Sequence, residues 1–304
     1  MNICNWLIFG SGFGLYGYLP AILKNENNKI YLPNKYKTKL INREDLNCFY
    51  ERINWYDDLS EIINFIDSVV IACNPETQPL IVNDLLKVNN IKKYILEKPL
   101  AINPIKADKF LKKLIHKKTL FTCGYSFLYT NWFKNLKLKI KNNKSDYLFC
   151  DWAFQAHHLK NNLNNWKANH LLGGGPLRFY GIHLIAIFSA LGYENVISSE
   201  ILKNKKGIYS KWEANFESKI LPPFKISIDI NSIVKEKFVI YSKSQKGINN
   251  LISFKDPFDE ENSQDINDKR INILDKIIKD NSYQENIKIY KNTINLWRKC
   301  EEKL

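Results

Sequence analysis

Short apolar runs alternate with longer stretches of helical spacing through the first third of the chain. Residues 4–9 (CNWLIF) form an apolar run that ends on glycines, the pattern of a buried strand. Residues 15–24 then show helical spacing, with Pro20 placed to bend the helix. KIYL at 29–32 predicts a second strand, residues 60–65 a helix, and DSVVIA at 67–72 a strongly β-branched third strand. Asn74-Pro75 stops that strand and residues 78–88 resume helical spacing. KKYIL at 92–96 predicts another strand and residues 105–116 another helix. Strands that alternate with helices predict a parallel sheet covered on both faces.

Beyond about residue 120 the period changes. TLFTCGYSF, SDYLFCDWAFQA, KWEANFES, KISIDINS and KFVIYS alternate polar and apolar positions, as strands of an antiparallel sheet with one wet face do. A strong helix over residues 174–191 interrupts them. From Ile266 onward the chain reads as helical, with Ile287, Tyr290, Ile294 and Trp297 on one stripe. The change of period divides the chain into residues 1–120 and 121–304, and 304 residues suffice for two buried cores.

Composition removes some partners. The formal charge of +14 would suit a polyanion, but lysine is abundant everywhere and forms no block interleaved with aromatics, so no nucleic-acid partner is expected. Phosphorylated small molecules remain suitable partners for so basic a chain. The six scattered cysteines, Cys4, Cys48, Cys73, Cys123, Cys150 and Cys300, form no Cys-x-x-Cys pair and read as reduced thiols. The apolar start lacks a basic leader, and YGIHLIAIFSALGY is too short, and at His183 too polar, to span a bilayer. A cytoplasmic protein without a membrane partner is the expectation.

Four stretches carry chemistry. In GSGFG, Gly10 and Gly12 have the spacing at which one glycine makes a turn and the next lets a phosphate approach the backbone. The helix that follows would offer unpaired N–H groups to a pyrophosphate. The third fingerprint position is Leu15, so the motif alone fits either a pyrophosphate loop or a tight turn. Roughly twenty residues further on, Pro33-Asn34-Lys35-Tyr36-Lys37 lacks the acid that would grip the ribose of NAD. Lys35 and Lys37 there suit the 2′-phosphate of NADP, or else reflect general lysine richness. Glu97-Lys98-Pro99 follows a strand at its carboxyl end, where ligands of open α/β sheets bind. In WKANHLLGGGPLRFYGIHLI three glycines precede a helix that carries His183, which is either a core histidine or a catalyst. His157-His158 has no second cluster at ligand spacing, so no metal is expected.

Taken in order and spacing, GSGFG, VVIACNPETQ, LEKPLAINP and the WK to GIHLI stretch resemble the glucose–fructose oxidoreductase and inositol dehydrogenase (Gfo/Idh/MocA) family over nearly the whole chain. The resemblance implies an α/β protein: a Rossmann domain with a doubly wound parallel sheet, then an α/β domain whose open, mainly antiparallel sheet makes homo-oligomer contacts. It also implies an NAD(P)-dependent oxidoreductase, NADP slightly favoured over NAD, acting on a sugar, nucleotide sugar or cyclitol. By position, Lys98 becomes the catalytic lysine and His183 the histidine that relays the proton. Gly10, Ser11, Gly12, Phe13, Gly14, Asn34, Lys35, Lys37, Cys73, Asn74, Pro75, Glu97 and Lys98 fall on the cofactor. Tyr125, Trp166, Lys167 and Arg178 would orient a polar substrate.

Three departures qualify the activity. Phe179 stands where the family often carries an aspartate four residues before the histidine, which would leave His183 beside an aromatic ring. No acid follows a turn later, and Gln78 lies near the place of a histidine usual after the Asn-Pro turn. A dinucleotide-binding sensor or partner subunit without turnover is the alternative these departures raise.

Overall fold

In the computed structural model, residues 4–141, 145–233, 236–259 and 268–304 are described. They fall into two compact units, one built from residues 1–101, 109–126 and 261–283, the other from 102–108, 127–260 and 284–304.

The first unit holds six parallel strands: β1 (Asn5–Phe9), β2 (Lys29–Pro33), β3 (Ile53–Tyr56), β4 (Ser68–Ile71), β5 (Lys93–Leu96) and β6 (Leu120–Cys123). Their spatial order is β3-β2-β1-β4-β5-β6, the doubly wound order that reverses between β1 and β4. Central β4 is buried at every position, as a strand covered on both faces requires. Between β1 and β2 the chain makes a π-helical turn, Gly14–Tyr18, that runs into α1 (Leu19–Leu23) with Pro20 in its first turn. α2 (Lys37–Ile41), α3 (Leu59–Ile62), α4 (Thr77–Leu85) and α5 (Pro104–His116) make the later crossovers.

The second unit contains α6 (Asn131–Lys141), β7 (Tyr147–Ala153), α7 (His157–Lys160), α8 (Ile182–Leu191), β8 (Asn195–Lys203), β9 (Tyr209–Glu217), β10 (Phe224–Asp229), β11 (Lys237–Ser244) and β12 (Gly247–Phe254). Its sheet order is β12-β11-β7-β10-β9-β8. Every pair is antiparallel except β7 with β10, which run parallel at the centre. Ser210, Trp212, Ala214 and Phe216 of β9 alternate inward, and Phe188 of α8 packs on Phe216 and Phe224 at ring distances of 4.4 and 4.8 Å. The opposite face is charged, with ion pairs Lys237–Asp151 and Lys211–Glu213 across or along its strands.

Two helices close the chain, α9 (Ile271–Lys279) and α10 (Tyr283–Glu301). α9 packs against α1, and its Ile273, Leu274 and Ile277 are buried. Lys93 of β5 caps its end by donating to the carbonyls of Ile278 and Asp280, both at 2.7 Å.

Four expectations change. LFTC at 120–123, read with the antiparallel strands, is the parallel edge strand β6, because four residues alternate too briefly to tell one ladder from the other. The helical reading from Ile266 starts outside the described residues, and the described part breaks at Asp280–Ser282. α6, β3, β8 and β12 add elements that the periodicity did not mark. The helical stretch His170–Leu191 has 22 residues and is long and apolar enough to cross a membrane by length and composition, with 78% of its most apolar window buried in the protein.

Candidate functional site

Strand register aligns the carboxyl ends of the first sheet. Phe9 pairs with Ile71, Ile71 with Leu96, and Leu96 with Cys123, so Gly10, Ala72, Glu97 and Gly124 begin four adjacent loops along one edge. Gly10 has φ +110°, and a Cβ there would stand 2.2 Å from the Ala72 carbonyl oxygen. Only glycine makes that turn. Gly12 differs: a Cβ on it meets nothing within 4 Å, so the loop keeps open space beside its backbone. The Gly12 carbonyl accepts from Leu15 N–H at 2.9 Å and starts the helix. Phe13 is taken up by packing, edge-on to Tyr18 at 5.3 Å and under the Arg270 guanidinium at 4.3 Å.

Two residues missed in the sequence hold this loop from the end of β2. The Gly10 N–H donates to the Tyr36 hydroxyl at 3.1 Å, and Lys39 donates to Ser11 Oγ at 2.8 Å. Burial raises the Tyr36 phenol above its ordinary pKa. Lys37 instead lies over the Trp55 ring at 5.4 Å, while Lys35 acts electrostatically on Cys73. Asn34 Oδ1 is buried and has no hydrogen-bond partner among the described residues.

Behind β4 the backbone is locked by side-chain amides. Asn74 Oδ1 accepts from Glu76 and Thr77 N–H and so caps the start of α4, with Pro75 inside the turn. Cys73 is half-buried, and desolvation raises its thiol pKa. Gln78 is fully buried; its Nε2 donates to the carbonyl of Glu97 at 2.8 Å and its Oε1 accepts the Glu97 N–H at 2.7 Å. Further contacts from Nε2 reach the carbonyls of Leu100 and Pro99, beyond the cis Lys98–Pro99 bond. Gln78 therefore sets the backbone from which Lys98 projects. The Glu97 carboxylate accepts from Tyr18 O–H at 2.7 Å and from Lys98 N–H at 3.3 Å. Burial nevertheless raises its pKa, outweighing the charge of Lys98. Tyr125 is fully buried beside Cys123.

In the second unit the three-glycine turn feeds a π-helical turn, Pro176–Gly181, and then α8. A Cβ on Gly174 would stand 2.2 Å from the Trp166 carbonyl oxygen, so glycine here permits the close approach of the Trp166-Lys167 turn. Trp166 meets Phe179 edge-on at 5.1 Å and Lys167 lies over the same ring at 5.4 Å. Phe179 thus fills the acid's place with a half-exposed aromatic contact. His183 is 6% exposed and stacks on Phe127 at 4.6 Å, so its aromatic neighbour comes from a distant segment and sequence spacing gave no sign of it.

Arg178 is held as a structural staple. Its Nε and Nη2 make a two-pronged pair with Glu301 at 2.7 and 2.8 Å, and Nη1 donates to the carbonyls of Ile102 and His170. Among the described residues no group of three or more His, Cys, Asp or Glu side chains is arranged to hold a metal.

Residues 4–125 match the family model described as an oxidoreductase family with an NAD-binding Rossmann fold. No curated protein matches the chain in sequence. Among solved structures the chain is similar in fold to a dehydrogenase (MviM) from Clostridium difficile, at 16% identity and a TM-score of 0.72, over 99% of this chain and 98% of that one. It is similar to the WlbA dehydrogenase from Bordetella pertussis, solved with NADH and UDP-GlcNAcA, at 12% identity and 0.72, over 100% and 97%. A 3-ketoreductase from Actinomadura kijaniata, solved with NADP and TDP-benzene, gives 9% identity and 0.69, over 98% and 97%.

Proposed function

We propose that this chain, whose residues 4–125 match an oxidoreductase family with an NAD-binding Rossmann fold, moves a hydride between a nicotinamide dinucleotide and a sugar-like hydroxyl or carbonyl compound. The observation that carries this reading is the shared edge of the first sheet. The glycine turn after β1 borders the point where strand order reverses, and the Lys98 segment follows β5, two strands along the same edge. The residues fit a dinucleotide. Open space at Gly12 suits a pyrophosphate, and the orphaned Asn34 Oδ1 suits a ribose hydroxyl. The nicotinamide, when bound, supplies the hydride chemistry. Lys98 holds the substrate oxygen through a charge-assisted hydrogen bond, and His183 takes or returns the hydroxyl proton. Trp166 and Lys167 orient the substrate, and the charged face of the second sheet is the surface for a homo-oligomer.

Phe179 at the acid position and the near-complete burial of His183 favour a second reading, a dinucleotide-binding sensor or partner subunit without turnover. Substitution separates the two. His183→Ala is expected to lower turnover by about 10²–10⁴-fold, the usual contribution of general acid–base catalysis, with nucleotide affinity unchanged. Wild-type turnover in that variant would remove His183 from the mechanism. A wild-type protein that binds the dinucleotide tightly but turns over no sugar, nucleotide sugar or cyclitol would support the sensor.

NADP is expected to bind about tenfold or more tightly than NAD, since a single charge-assisted contact to its extra phosphate is worth roughly 1.5–3 kcal/mol. Lys35 and Lys39 follow the end of β2, and residues 33–39 carry no carboxylate. Calorimetry of both nucleotides checks this, and equal affinities would reduce these lysines to ordinary surface.

A further inference from the structure

The second unit contains an open cavity of about 850 Å³ that lies outside the residues given to hydride transfer. One wall is α7 and the loop after it; the other is the turn between β8 and β9. Four lysines, Lys160, Lys203, Lys205 and Lys206, line it against a single carboxylate, Asp229. That carboxylate is already engaged, accepting from Asn231 N–H at 2.9 Å and lying close enough to Lys211 to act on its charge. A concave surface with such an excess of ammonium groups concentrates anions.

A buried polar group stands in the same wall. His158 is 3% exposed, and its Nε2 is buried with no hydrogen-bond partner among the described residues. Its Nδ1 faces the Tyr180 hydroxyl at 3.4 Å. We propose that this cavity binds a phosphate-bearing anion, with Lys203, Lys205 and Lys206 as its cations and His158 as an uncharged hydrogen-bond donor. Burial first, and then the nearby Lys167, hold the His158 pKa down to about 4, so the ring is neutral near pH 7. A neutral ring that accepts from Tyr180 at Nδ1 carries its proton on Nε2, the nitrogen left to donate to a phosphoryl oxygen. The volume falls in the range that holds a nucleotide-sized ligand. Tyr180 also packs on Phe179, which in turn meets Trp166 and Lys167, so the cavity borders the segment proposed to orient the substrate. The substrate class is thereby a phosphorylated or nucleotide-linked sugar, an assignment that rests on the oxidoreductase reading.

The test is an NMR titration of the full chain with inorganic pyrophosphate and, separately, with uridine diphosphate. The imidazole signal of His158, assigned by its loss in His158→Gln, reports on the cavity alone. Both wild type and Gly12→Val, in which the dinucleotide loop is blocked, are expected to show a saturable shift. The combined Lys203→Ala, Lys205→Ala, Lys206→Ala variant should weaken it about tenfold or more, the scale of one lost charge-assisted contact. Tighter binding of uridine diphosphate points to a substrate-borne phosphate, and equal binding of pyrophosphate to a free anion; both keep the site. A His158 signal that neither ligand moves, or a triple variant that binds as wild type does, overturns it. Anion binding here without any NAD(P) binding at the glycine loop would instead sink the oxidoreductase reading and leave the cavity standing.

Discussion

Arg178→Ala is expected to cost about 3–5 kcal/mol of stability, the usual penalty for removing one partner of a buried ion pair. Arg178 is 9% exposed, and the Glu301 side chain it holds is 16% exposed. Without the guanidinium, Glu301 keeps, among the described residues, the Trp297 indole N–H at 2.9 Å and His170 Nε2 at 3.6 Å. The carbonyls of Ile102 and His170 lose their donor as well. Burial by itself would raise the Glu301 pKa, but hydrogen bonds from Arg178 and His170 overcome it and hold the carboxyl at about 2. A folded-state value below the unfolded one stabilises the protein above the unfolded pKa, and the contribution disappears as pH falls through the folded value. The drop from 4.5 to about 2 corresponds to roughly 3 kcal/mol, present at pH 5 and above and lost progressively towards pH 2. Denaturant unfolding at pH 7 and pH 3 checks both parts. Wild type should lose stability between the two, and Arg178→Ala should lose much less. A variant within 1 kcal/mol of wild type at pH 7, on the scale of exposed pairs, would show that the contact is not structural.

Gly12→Val is expected to abolish dinucleotide binding while leaving the fold intact. The separation follows from what surrounds each glycine of the loop. A side chain on Gly12 enters space that no protein atom occupies, so the folded chain tolerates it and only a ligand is displaced. A side chain on Gly10 collides with the Ala72 carbonyl and must also adopt φ +110°, so Gly10→Ala should impair folding and binding together. Calorimetric titration with NADP, paired with thermal unfolding, distinguishes the cases. Undiminished affinity in Gly12→Val would show that the loop is only a turn.

Much of the first sheet was legible because buried strands announce themselves by unbroken apolar runs. CNWLIF, SVVI and KYIL each became a strand within a residue or two of the expected bounds. β3 (INWY) escaped because it is an edge strand with exposed Asn54 at its centre, which interrupts the apolar signal. β8 and β12 escaped for the same reason, being edge strands of the second sheet with mostly exposed positions. α6, with four lysines among its eleven residues, was hidden by the lysine richness of the whole chain.

The candidate site divides along a similar line. Residue types whose chemistry is local were readable: glycines that need a particular turn, a lysine after a strand end, a histidine in a motif at family spacing. Gln78 was seen only as a missing histidine, yet its amide fixes the backbone on both sides of Lys98. Tyr36 and Lys39, rather than Lys37, reach the glycine loop, because a tight turn after β2 decides which side chains face back towards it. Arg178 looked available until Glu301, 123 residues away, was brought against it. By itself the sequence determined the alternation of strands and helices, the change of sheet type, and the motifs at the strand ends, since each depends on neighbours a few residues apart. Tertiary structure alone decided which edge each strand occupies, which cation reaches which acceptor, and which charged groups are spent on stability, since those depend on contacts that no local spacing encodes.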